Sequence, residues 1–171
     1  MTKFIIFAKN KLLQRQLFMK KLILILVFIG ISIPLAMKAQ DIALGERMPK
    51  FLGLNWLNNQ IPSKTPYYYM EFFSTQNPHS IAFLERLNQL KSKFGSQISI
   101  ILVASEPEEV IRPYIEPYLG NNFAIILDHD KMIHSKLKIH FVPFGMLLNA
   151  RHRIVWMGRF CDFDDSIISN L

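Results

Sequence analysis

Cysteine is almost missing from this chain: its 171 residues include one, Cys161. A lone thiol cannot close an intramolecular disulfide, which excludes a disulfide-stapled fold and a self-contained dithiol–disulfide cycle. Glycine is scarce too, at seven residues, and none of them forms a phosphate-cradling loop, so nucleotide binding by that device is excluded. Acidic residues are absent from residues 1–39, where Lys3, Lys9, Lys11, Arg15, Lys20, Lys21 and Lys38 stand. The remaining thirteen basic residues face thirteen acidic ones over 40–171, so the formal charge of +7 belongs to the leader. No basic face for a phosphate backbone follows, and nucleic acid is not an expected partner. Internal repeats and low-complexity tracts are also lacking.

What is present is apolar: hydrophobic residues make up 50% of the chain, enough to bury a core. Residues 1–39 have the layout of a signal peptide or an N-terminal anchor. Lys20–Lys21 precede an apolar run, Leu22 to Met37, broken only by Gly30, Ser32 and Pro34, and Met37-Lys38-Ala39 offers a cleavage site. The run is shorter than the roughly 20 residues a membrane span needs, which favours a cleaved signal. Met19, just before the lysine pair, is an alternative start. Residues 40–66 read as an N-terminal extension, and 67–171 as the domain proper.

Within the extension, Pro49, Pro62 and Pro66 act as breakers, Phe51–Leu57 suits a short edge strand, and Asn58-Asn59 a turn. Tyr67–Phe73 is continuous and aromatic, as a strand buried on both faces must be. Asn77 is a good N-cap and Pro78 fits a first helical position. Phe83, Leu87, Leu90 and Phe94 then recur at helical spacing up to Gly95. Strands are expected at Ile98–Ala104 and Phe123–Leu127, with a helix between them over Glu106–Leu119 that Pro113 and Pro117 keep short or broken. A turn and short helix over Asp128–Lys138 lead to a hairpin, Phe144–Leu148 with Arg153–Met157, and Asp164–Leu171 makes at most two helical turns. This order predicts an α/β fold with a mixed central sheet flanked by helices.

Several segments then carry a likeness. They are Leu44–Phe51 ("G-x-x-x-P-x-F"), Phe72–Ser80 ("F-W-A-T-W-C-P-P-C"), Phe123–Asp130 ("F-P-V-L-L-D-x-D"), Val142–Asn149 ("I-P-T-T-F-L-I-D") and Arg153–Gly158. In this order, from about Asp41 to Gly158, the chain resembles the TlpA/ResA-like thiol-disulfide oxidoreductases of the thioredoxin superfamily. The resemblance implies a thioredoxin-like fold, export to the periplasm or cell envelope, and a cis peptide bond before Pro143. It also aligns Asn77 and Ser80 with the family's two reactive cysteines, and Gln76 with its tryptophan. In that family a thiolate is stabilised at the helix N-terminus. An amide and an unactivated hydroxyl cannot replace it. By position Glu71 resembles the superfamily's buried carboxylate; on its own residues it is expected to be partly exposed or hydrogen-bonded under the helix.

The resemblance therefore implies a degenerate, redox-inactive redoxin whose groove remains: Gln76, Asn77, Pro78, His79, Val142 and Pro143 would hold an extended peptide or an envelope protein. The rival from another class is a thiol-disulfide oxidoreductase or peroxidase-like enzyme working through Cys161 with a partner's thiol. The sequence places Cys161 after the last strand, away from the reactive end, and expects it buried or incidental. A Ser80 nucleophile with His79 as base is disfavoured because neighbours on a helix project about 100° apart. His79, His129, His134, His140 and His152 show no zinc spacing, so no metal and no cofactor is expected. The oligomeric state is left open.

Overall fold

The structure, a computed structural model, describes residues 19–21, 42–120 and 123–170. The chain divides into residues 1–40 and 41–171. In the first unit Met19–Lys21 are helical, while the apolar run and the cleavage site expected there lie outside the described residues. Among the described residues no helix is long and apolar enough to cross a membrane.

The second unit contains a five-stranded mixed sheet in the order β3-β2-β1-β4-β5. The strands are β1 Tyr67–Phe73, β2 Ile98–Ala104, β3 Phe123–Leu127, β4 Phe144–Asn149 and β5 Ile154–Gly158. β1, β2 and β3 run parallel, and β4 is antiparallel to both β1 and β5. The helices are α1 Pro78–Phe94, α2 Glu108–Ile115, α3 Met132–Lys136 and α4 Ser166–Ser169. This is the mixed sheet flanked by helices that the sequence pattern implies.

β1 reads as an unbroken apolar run because both its faces are covered. Tyr69 and Phe73 pack with Phe83, Leu84, Leu87, Leu90 and Phe94 of α1. Met70 and Phe72 face a second cluster with Ile101, Val103, Ile133, Met146 and Met48. α1 begins at the Asn77 cap and stops at Gly95, whose φ of 52° suits glycine. Lys91 is buried beside that end and donates to the carbonyls of Gly95 (2.5 Å) and Ile98 (2.6 Å), fastening the helix terminus to the start of β2. α2 retains Pro113 and passes into a 3-10 turn, Glu116–Tyr118, at Pro117, the truncation its prolines require.

One expectation fails. Phe51–Leu57 does not form a strand: only Trp56 makes a bridge, to Ile126, and Leu57–Asn59 is a 3-10 turn. Asn58 and Asn59 both take φ of 54°, so the chain turns away after a single contact with β3. Residues before β1 instead lie along the outer strands. The Leu127 N–H donates to Asn55 (2.9 Å), while Gly45 and Glu46 exchange hydrogen bonds with Ile154 (2.7 and 2.9 Å).

Candidate functional site

The site forms where β1 ends, because the register carries several segments to the same end of the sheet. Phe73 is level with Ala104, Phe72 with Phe144, and Gly145 with Gly158. The β1–α1 loop, the segment after β2, the Val142–Pro143 peptide and the exit of β5 therefore meet there. The Val142–Pro143 bond is cis.

Asn77 bridges two of these segments. Its Oδ1 accepts from the His79 N–H (3.0 Å), capping α1, and its Nδ2 donates to the Val142 carbonyl (2.8 Å). Ser80 is buried, and its Oγ accepts a long hydrogen bond from the Ser74 N–H (3.4 Å). Both side chains thus brace the loop. Of the other groove residues, Gln76, Pro78 and His79 are exposed, and Val142 and Pro143 are half-buried. Among the described residues the Val142 N–H has no hydrogen-bond partner, so at this residue the carbonyl is satisfied from within and the donor is not.

Gln76 and Val142 also line a cleft of about 480 Å³, shared with Ser105, Glu106, Lys131, His134, Lys138 and His140. Two of these residues do work that the sequence reading missed. Glu106 accepts from the Thr75 N–H (3.0 Å) and Oγ1 (2.6 Å) and from the Ser74 Oγ (3.3 Å), so its carboxylate holds the loop in place. The available signal was an acidic residue just after β2, which in a parallel pair ends beside the loop after β1. His134 sits with its Nδ1 2.6 Å from Asp128 Oδ2 and its ring edge-on to Phe72. Asp128 is buried and also accepts from the Ile133 and His134 N–H groups (3.0 Å each). Burial pushes the Asp128 carboxyl up, but the His134 ring and the two N–H groups outweigh it and hold the group below the usual carboxylate range.

Glu71 is only 1% exposed, which removes the expectation of partial exposure. Among the described residues no well-aligned hydrogen bond reaches either carboxylate oxygen or the buried Tyr69 hydroxyl, although the hydroxyl lies close enough to act on the Glu71 carboxyl. Burial pushes the Glu71 carboxyl up to about 8, with proximity to Tyr69 pulling weakly the other way. Gly145, opposite Glu71 on β4, makes room for both groups: a Cβ there would overlap the Tyr69 hydroxyl and come within 2.9 Å of Glu71 Oε2.

Cys161 is corrected on one count: it is exposed, with Sγ 3.6 Å from Asp162 Oδ1. It sits in the 3-10 turn Phe160–Asp162 that follows β5. The neighbouring Phe160 packs on Phe83 of α1 (5.5 Å) and on Tyr69 (5.4 Å), with Arg86 over its ring, which draws the turn back along α1. Of the other histidines, His79, His129 and His140 are exposed, and His152 stacks on Tyr68. Among the described residues no three His, Cys, Asp or Glu side chains are grouped to hold a metal.

No protein-family model and no curated protein sequence matches the chain. Solved structures do. A thioredoxin-like protein from Aeropyrum pernix matches with a TM-score of 0.55 at 14% identity, over 67% of this chain and 81% of its own. A PrxQ mutant from Xylella fastidiosa gives 0.59 at 14% identity, over 77% and 94%. A secreted Mycobacterium tuberculosis disulfide oxidoreductase homologous to E. coli DsbE gives 0.51 at 13% identity, over 62% and 82%. Likeness at these identities defines the fold: the domain is thioredoxin-like.

Proposed function

We propose that this chain is an exported, redox-inactive thioredoxin-like module of the cell envelope that binds an extended segment of another protein at the Val142–Pro143 loop. The observation that carries this reading is the state of the two main-chain polar groups of Val142. Among the described residues its N–H has no partner, beside a cleft of about 480 Å³, while its carbonyl accepts from Asn77, which the resemblance aligns with a cysteine. An open main-chain donor on a rigid loop is what strand-type peptide recognition needs. The same asparagine supplies no nucleophile. Export is supported by the leader's pattern and by the secreted M. tuberculosis neighbour.

The test is fluorescence anisotropy with labelled, unfolded, cysteine-free peptides, run beside an insulin-reduction assay. We expect saturable binding that Val142→Trp removes, and no turnover. Insulin reduction at an enzyme's rate would overturn the proposal.

A second reading is favoured by one observation, the exposure of Cys161. In it the chain is a thiol enzyme completed by a partner's thiol. Turnover that appears with added dithiol partner and vanishes in Cys161→Ser would establish it; identical behaviour of the two proteins removes it.

A further inference from the structure

The proposed groove leaves the Asp128–His134 pair unexplained. Asp128 is locked on one side by two backbone N–H groups and on the other by the His134 Nδ1, and Phe72 fixes the ring's tilt. The His134 side chain is 12% exposed, and the opening it retains is the cleft shared with Gln76 and Val142. With Nδ1 spent on Asp128, Nε2 is the ring atom left for a ligand, and among the described residues it has no partner. A buried carboxylate behind an imidazole fixes the tautomer and offsets the positive charge the ring carries when Nε2 donates to an anion.

Lys131 and Lys138 line the cleft together with His134 and His140. Among the described residues that line it the one carboxylate is Glu106, already engaged by Ser74 and Thr75.

Resting on the peptide-binding reading above, we propose that this cleft receives an acidic side chain of the bound segment, with His134 as the specificity-determining contact. The main chain of the ligand pairs at Val142, and a Glu or Asp side chain turns into the cleft to meet Nε2, with Lys131 beyond it. A charge-assisted hydrogen bond in a half-enclosed site discriminates strongly against an uncharged isostere.

The test uses the purified protein and a positional-scanning set of short peptides in which each position is in turn Glu, Gln or Lys. We expect one position where Glu binds on the order of tenfold tighter than Gln. In His134→Gln that preference falls away, while the Gln peptide binds as before. In wild type, the His134 ring resonances should shift with the Glu peptide and stay in place with its Gln counterpart, a readout independent of whether the variant folds. Peptides that bind with no Glu preference, or with one that survives His134→Gln, overturn this assignment and leave the groove standing. Binding by none of the peptides overturns both.

Discussion

Glu71 holds its carboxyl group in the core of β1, where burial raises its pKa from 4.5 to about 8. Between those values the folded chain retains a proton that the unfolded chain has released. This residue's contribution to stability is therefore full below about 4.5, declines as pH rises through that window, and levels off above about 8. Denaturant titrations should show Glu71→Gln more stable than wild type at pH 8, by on the order of 4 kcal/mol, with the difference closing toward pH 4.5. Gly145→Ala should cost about 2 kcal/mol or more, because its methyl group meets the Tyr69 hydroxyl and neither strand can move aside; the urea midpoint reads this directly. Asn77→Ala removes a helix cap and the tie to Val142 together, and a loss of about 1–2 kcal/mol in thermal melts is expected. Asn77 and Pro78 were legible in sequence because capping depends on neighbours one to three residues away. The surroundings of Glu71 were not, since the glycine that admits it lies 74 positions further on and reaches it only through the β1–β4 register.

Elements whose cause is local were also legible. The boundaries of β1, β2, β3 and α1 fall at the expected residues because each is a buried run between breakers. Phe51–Leu57 misled because apolarity alone does not distinguish a strand from a segment that touches a sheet once and turns away. Lys91 and Glu106 escaped for a different reason: a charged residue at the end of an element looks solvated until the partner element is placed. Glu106 ties the end of β1 to the exit of β2, so Glu106→Ala should loosen one loop and spare the sheet. Amide exchange at Thr75 is expected to speed up by the equivalent of about 1–3 kcal/mol, with the β1 amides unchanged.

Across the whole domain, sheet order decides which distant residues become neighbours. β4 stands between β1 and β5, and the turn after β5 packs Phe160 onto Tyr69 and Phe83 while leaving Cys161 exposed, a placement invisible in sequence. Since its side chain is exposed, iodoacetamide should label Cys161 in the native protein about as fast as in denaturant; protection relieved only by unfolding would contradict the placement. The segment before Tyr67 has a consequence at this scale too. Its main chain lies against β3 at Asn55–Trp56 and against β5 at Gly45–Glu46, shielding parts of both rims that would otherwise recruit foreign strands. A version trimmed to begin at Tyr67 would keep every site residue named here and yet gain a tendency to self-associate, so solubility sets the shortest useful form of this domain.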